Sequence, residues 1–132
     1  MKKTIIHILD HNSTQGAFLK YQLAMTGFKD IQHFHSPDEC LYSLEKERIP
    51  DFIIVDPDFT GMNIENFLHK VNQLNSEVKV IVFSKRDDAE FAAVLLRSGA
   101  IDYIVRNGND LMSIRELTSN LQFIIKEEKF SE

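Results

Sequence analysis

The stretch 53-IIVDPDFTG-61 places a carboxylate at the end of a run of large apolar residues. Residues 53–55 are Ile, Ile and Val, and Pro57 and Gly61 break the chain just beyond Asp56. Such a continuous apolar run predicts a short strand covered on both faces of its sheet. A carboxylate at the tip of this strand is placed for chemistry or for holding an ion, although a simple strand-ending turn is the plainer alternative.

Four further apolar runs alternate with longer amphipathic segments along the chain. Together with Phe52–Val55, they are Ile5–Leu9, Ile31–Phe34, Val78–Phe83 and Ile101–Val105. Strand–helix alternation repeated five times predicts a parallel sheet with helices on both faces, joined by right-handed crossovers. We therefore predict one doubly wound α/β domain over residues 1–132, whose charged end KEEKFSE is a solvated helix end or the start of a linker after about residue 126.

Helix signals lie between the apolar runs. The segment 36-SPDE-39 is a capping box, Gly99 occupies a C-cap position, and Asp110 is the expected cap of the last helix. The first helix is predicted to end near Gly27. Its apolar residues with helical spacing are Phe18, Tyr21, Ala24, Met25 and Phe28.

The totals exclude several classes of protein. A length of 132 residues suits one domain, and the net charge of −5 offers no electrostatic attraction to nucleic acid or to an anionic membrane. The single cysteine, Cys40, excludes an internal disulfide and a cysteine-based zinc site. The apolar stretch near the start is about five residues long and contains His7, which is too short for a signal peptide or a membrane span. We expect a cytoplasmic domain.

Polar side chains follow four of the predicted strands. Asp10 and His11 follow the first strand, Asp56 the third, Ser84 ends the fourth, and Arg106 follows the fifth. In a doubly wound sheet the ligand site lies beyond the carboxyl ends of the strands. Any one of these residues is explained by its habit of ending strands or capping helices. All four positions together predict one pocket that contains two carboxylates, a hydroxyl and a guanidinium.

Several motifs now resemble one family over nearly the whole chain. They are 8-ILDHN-12, 27-GF-28, 50-PDFIIVD-56, 61-GMN-63, 80-VIVFS-84 and 99-GAIDYIVRN-107. In these motifs the chain is similar to the receiver domain of two-component response regulators. The resemblance implies a flavodoxin-like sheet of order 2-1-3-4-5 with five helices. It also implies that a sensor histidine kinase or phosphotransfer protein supplies a phosphoryl group to Asp56.

The resemblance also assigns roles around Asp56. It implies that Asp10, Asp56 and the backbone carbonyl of Asp58 hold Mg²⁺. Such a cation offsets the charge of the phosphoryl oxygens. Arg106 would pair with the phosphoryl group.

A switch and an output surface are implied as well. Ser84 would move toward the phosphoryl oxygen, and Tyr103 matches the aromatic position that turns inward with it. The output would be a population shift on the face formed by helix 4, strand 5 and helix 5, where a partner or a second copy of the chain would bind.

Four positions depart from the family pattern. His11 stands where the second acidic metal ligand is usual, and imidazole is a poor ligand for Mg²⁺. Arg106 replaces the usual Lys, Asn107 replaces the following Pro, and Lys85 replaces a small residue. Two versions of the receiver hypothesis therefore stay open. Asp56 is phosphorylated with altered kinetics, or the domain is a degenerate receiver that signals by binding alone.

Two other classes of protein share parts of the pattern. The segment 56-DPDFT-60 matches the nucleophile motif of haloacid-dehalogenase-like phosphatases, but Asp56 lies on the third strand, and later strand ends carry Ser84 and Arg106 rather than an acidic pair. A flavodoxin would explain the loop 12-NSTQG-16, yet aromatics that flank a flavin are missing from the loops after strands three and four. We predict no enzymatic turnover beyond slow self-phosphorylation from a donor and autodephosphorylation.

Three histidines outside this pocket have simple interpretations. His33 and His35 alternate along the second strand, where they could pair on a metal, but a polar face on an edge strand is the favoured reading. His7 lies within the first strand and is predicted to be packed or hydrogen-bonded in the core.

Overall fold

Five strands and five helices alternate along the chain in the computed structural model, which describes residues 3–46, 48–107 and 110–131. The strands are β1 Ile5–Leu9, β2 Asp30–Phe34, β3 Phe52–Val55, β4 Lys79–Ser84 and β5 Asp102–Val105. The helices are α1 Ser13–Met25, α2 Pro37–Lys46, α3 Ile64–Leu74, α4 Ala89–Arg97 and α5 Asp110–Ser131. All strand pairs are parallel, in the order β2-β1-β3-β4-β5. The predicted flavodoxin-like fold is confirmed.

Each face of the sheet has its own apolar core, and β3 contributes to both. Ile53 and Val55 face the cluster beneath α2, α3 and α4, whereas Phe52 and Ile54 face the cluster beneath α1 and α5. All four side chains are at most 1% exposed. Burial on both faces explains why this strand is continuously apolar rather than alternating.

Helix α1 is present as predicted, but most of the apolar residues whose spacing indicated it do not face the sheet. Phe18, Tyr21 and Met25 are 42%, 60% and 69% exposed, whereas Leu19 and Leu23 are buried against the sheet. Both sets of residues recur at helical spacing, so periodicity predicts the helix without deciding which stripe faces inward. Gly16 lies in line with the two leucines and lets the helix approach the sheet closely.

The helix boundaries follow the sequence signals. Ser36 Oγ accepts a hydrogen bond from the Glu39 N–H at 3.2 Å, which is the predicted capping box. Gly99 follows α4 with φ +125°, a conformation that favours glycine. Helix α5 begins at Asp110 and includes the charged segment 126–131. The expected capping contact of Asp110 lies outside the described part of the chain.

His7 is packed in the core, as predicted. Its side chain is 3% exposed and its ring lies 5.0 Å from that of Phe34. Burial lowers the pKa of His7 to about 4, partly opposed by the negative charge of Asp30. The imidazole is therefore neutral in the folded protein near neutral pH.

Across the described residues, no helix combines the length and apolar character that a membrane span requires.

Candidate functional site

The parallel ladder brings the four predicted polar residues to one edge of the sheet. The pairing continues one residue past the strands, since Asp56 N–H donates to Leu9 O at 2.9 Å and Arg106 N–H donates to Ser84 O at 2.7 Å. Asp10, Asp56, Ser84 and Arg106 are all buried, between 1% and 8% exposed. These side chains are therefore held on rigid backbone.

Arg106 lies beside both carboxylates. Its Nη1 is 3.5 Å from Asp10 Oδ2 and 3.9 Å from Asp56 Oδ2. The guanidinium carbon lies 4.2 Å from the centroid of the Phe83 ring. A guanidinium tolerates such stacking because it is planar and weakly hydrated. Arg106 thus supplies buried positive charge next to two buried negative charges.

Gln15 also belongs to this site, and the sequence analysis missed it. Its Nε2 donates to Asp10 Oδ2 and to Asp56 Oδ2, each at 2.8 Å. Gln15 lies in the first turn of α1, and its own N–H donates to the capping oxygen of Asn12 at 2.9 Å. Only the position of Gln15 in the sequence could have indicated this contact, because the first turn of the helix after β1 lies directly over the end of that strand.

Burial raises the pKa of Asp56, and the neighbouring charge of Asp10 acts in the same direction. The opposing effects come from the Asp58 N–H, which donates to Asp56 Oδ1 at 3.0 Å, from Gln15 and from Arg106. A lone carboxylate at this depth would be costly to ionise. The donors around Asp56 offset part of that cost.

A cavity of about 380 Å³ opens above Asp56. Its wall includes Asp58, Ser84, Lys85, His11 and Gln15. Ser84 Oγ accepts a hydrogen bond from the Arg86 N–H at 3.0 Å. His11 and Lys85 are exposed at the rim. The pocket is therefore open to a ligand on one side and closed by the sheet on the other.

Tyr103 does not enter this cavity but contacts the loop that follows Ser84. Its Oη donates to the backbone carbonyl of Arg86 at 2.6 Å, and its ring packs edge-on against Phe91 at 6.0 Å. Ser84 and Tyr103 thus both bind Arg86, one at its N–H and the other at its carbonyl.

The carboxylate oxygens of this site are ligands of the type that Mg²⁺ prefers. The Oδ2 atoms of Asp10 and Asp56 converge on one point, now held by the Gln15 amide. Mg²⁺ commonly binds one or two carboxylates and completes its shell with water. Among the described residues there is no cluster of three or more His, Cys, Asp or Glu side chains arranged around a metal. A cation at the convergence point would have to displace Gln15.

His33 supports the end of β1. Its Nε2 lies 2.9 Å from the backbone carbonyl of Asp10, and its ring stacks on His35 at 4.3 Å. A β-carbon at Gly16 would lie 2.2 Å from two atoms of the His33 ring. A side chain at position 16 would therefore force the His33 ring to move from its place beside the Asp10 carbonyl.

We expect Gly16→Ala to destabilise the domain by about 1–2 kcal/mol, because overpacking against His33 outweighs the gain of about 1 kcal/mol in helix propensity. In a His33→Ala background the same change should stabilise by up to about 1 kcal/mol, because the ring is gone. Chemical denaturation of the four proteins measures this reversal. Stabilisation by Gly16→Ala in both backgrounds would contradict the contact.

The family model of the response regulator receiver domain matches residues 6–118. The "Probable C4-dicarboxylate response regulator DctR" of Bacillus subtilis (strain 168) is 35% identical over 63 residues, which cover 48% of this chain and 28% of that protein. The chain thus spans little more than a quarter of the curated relative it matches.

Solved receiver domains have the same fold. A CheY-like receiver domain protein from Methanospirillum hungatei JF-1 aligns with a TM-score of 0.84 at 21% identity, over 99% of this chain and 100% of that one. The receiver domain of Francisella response regulator 1452 aligns with a TM-score of 0.82 at 22% identity, over 95% and 98% of the two chains.

The strand order and the helices define a flavodoxin-like α/β fold with an acidic pocket at the carboxyl edge of its sheet. The chain belongs to the response regulator receiver domain family and is a receiver domain of a two-component response regulator. Receiver domains interact with histidine kinases or phosphotransfer proteins, typically bind Mg²⁺ at the acidic pocket, and are generally not enzymes.

Proposed function

We propose that Asp56 is the phosphoacceptor of this receiver domain. The observation that carries the proposal is the buried carboxylate at the floor of an open cavity, with the Asp58 N–H, the Gln15 amide and Arg106 around it. The carboxylate oxygen forms a bond to phosphorus while the bond between phosphorus and the donor histidine breaks. The electron pair leaves on the ring nitrogen, which then takes a proton.

The residues of this chain support the developing charge. Arg106 brings a buried cation to the carboxylate, and backbone N–H groups at the cavity wall are donors for phosphoryl oxygens. Asp10, Asp56 and the backbone carbonyl of Asp58 are the groups that would hold Mg²⁺. When bound, the ion offsets the negative charge on the phosphoryl group.

The contacts of Arg86 support a route from Asp56 to the surface. If Ser84 Oγ turns to a phosphoryl oxygen, it gives up the Arg86 N–H that it now binds. The Tyr103 hydroxyl, which donates to the carbonyl of the same residue, is then released to turn inward. Exposed apolar residues support a contact for a partner or a second copy on the face of α4, β5 and α5, since Leu96 of α4 and Ile101, which precedes β5, are 46% and 43% exposed.

Incubation with acetyl phosphate and Mg²⁺, followed by intact-mass measurement, tests the phosphoacceptor. We expect the wild-type protein to gain one phosphoryl group and Asp56→Asn to gain none. Asp87→Asn makes the same chemical change at an exposed position and should behave as wild type. No gain by the wild-type protein under donor excess, or an equal gain by Asp56→Asn, would remove the proposal.

One observation favours a second candidate, a receiver that signals by binding without phosphorylation. Gln15 and Arg106 already supply donors and positive charge to both carboxylates, so part of the negative charge of the pocket is offset in its unmodified state. The same mass measurement separates the two candidates, since the binding module would stay unlabelled.

A further inference from the structure

The carboxylates of Asp10 and Asp56 use their two oxygens in the same way. Asp10 Oδ1 accepts from the Asn12 N–H at 2.9 Å, and Asp56 Oδ1 accepts from the Asp58 N–H at 3.0 Å. Each residue thus uses one oxygen for its own loop and turns the other, Oδ2, toward Gln15. A primary amide has two N–H donors, and here each carboxylate takes one.

The contacts of Gln15 resemble those that a cation would make. Two carboxylates that face one point repel each other unless positive charge or donors lie between them. Gln15 Nε2 is 2.8 Å from both Oδ2 atoms, whereas Arg106 Nη1 is 3.5 and 3.9 Å from the same atoms. The amide therefore makes the closer contacts.

We propose that Gln15 gates the cation site: its carboxamide occupies the point between Asp10 and Asp56 until a divalent ion displaces it. This inference rests on the proposed function in taking the two carboxylates as the ion site. The backbone of Gln15 is fixed by its bond to Asn12, so ion binding needs rotation of the side chain alone. The residue is half-buried in the first turn of α1, which leaves it a path toward solvent.

The gate lowers ion affinity because the ion must replace two hydrogen bonds to charged groups. Each such bond is among the stronger ones in proteins. His11, which stands at the rim in place of an acidic ligand, does not restore the lost attraction. Mg²⁺ dependence and the rate of phosphorylation would then both be set by how readily Gln15 leaves.

Direct ion binding tests the gate. Mn²⁺ is titrated into the wild-type protein, Gln15→Ala and Gln15→Met while free Mn²⁺ is followed by electron paramagnetic resonance. We expect both variants to bind about tenfold more tightly, as loss of roughly 1.4 kcal/mol of competing interaction implies. Gln22→Ala, a matched change two turns along the same half-buried side of α1, should leave the affinity unchanged.

If both Gln15 variants bind Mn²⁺ as tightly as the wild-type protein or more weakly, the gate is overturned. The amide would then either have no effect on ion binding or bind the ion through its oxygen. Absence of Mn²⁺ binding in every variant would overturn it too, because no ion site would exist. Gln15→Met retains the length of the side chain without a donor, which guards against a folding defect in the alanine variant. Failure of the phosphoacceptor is distinguishable: the variants would bind Mn²⁺ more tightly and still gain no phosphoryl group.

Discussion

Replacing Arg106 by methionine is expected to destabilise the domain by about 3–5 kcal/mol, because it leaves two buried carboxylates without their nearest cation. Asp10 is 1% exposed and Asp56 is 8% exposed, so water can replace the guanidinium only in part, from the cavity side of Asp56. Methionine keeps a flexible apolar side chain but loses the guanidinium that lies over Phe83, so the measured loss includes this stacking contact as well as the charge. Urea unfolding at pH 7 measures the change.

Removing a carboxylate together with the arginine provides the control. Arg106→Met combined with Asp56→Asn should recover part of the lost stability, because one uncompensated charge disappears. Arg106→Lys retains the charge and should cost less than the methionine variant. An Arg106→Met protein within 1 kcal/mol of wild type would contradict a buried charge cluster that depends on this residue.

Stability is also expected to fall by about 3 kcal/mol between pH 6.5 and pH 4 because of His7, from 1.36 kcal/mol per pH unit over the gap between the two pKa values. In that range the unfolded chain binds a proton at His7, whereas the folded protein, in which burial lowers the pKa to about 4, does not. More protons in the unfolded state mean that stability rises with pH. The loss is complete below pH 4 and absent above about 6.5.

Denaturation midpoints between pH 4 and pH 7.5 test this dependence in His7→Leu and in His69→Leu, a matched change at an exposed histidine. The His7 variant should lose most of the slope, and the His69 variant should keep it. Asp56 acts in the opposite sense: burial raises its pKa, so the folded state holds the proton more tightly than the unfolded chain, and stability falls as pH rises through the raised pKa. An Asp56→Asn background removes this contribution. An unchanged slope in His7→Leu would contradict the assignment.

The fold was largely predictable because β3 is apolar on both faces. The apolar side chains of residues 52–55 can all be buried only if helices cover both faces of the sheet. Because strands alternate with helical segments along the chain, a doubly wound sheet is the fold that meets this requirement. The positions of Asp10, Asp56, Ser84 and Arg106 followed from the same reasoning, since parallel strands end at one edge. Their backbone ladder bonds show that this edge is rigid.

The sequence did not indicate which of two apolar helix faces packs against the sheet. Helix α1 carries one stripe with Leu19 and Leu23 and another with Phe18 and Tyr21, and the close packing of Gly16 against His33 favours burial of the first. The role of Gln15 depends on the same packing, because only the seated helix brings its amide to the carboxylates. A glutamine in a first turn has no chemical signature that marks it as a cation competitor.

A crystal structure with Mg²⁺ and beryllofluoride tests the central claim most directly, because it reports on Asp56, the ion and Gln15 together. We expect the phosphoryl mimic on Asp56, an ion against Asp10 and Asp56, and the Gln15 amide withdrawn from between them. A structure in which Asp56 carries no mimic at saturating beryllofluoride, with Gln15 still bridging the carboxylates, would contradict the phosphoacceptor.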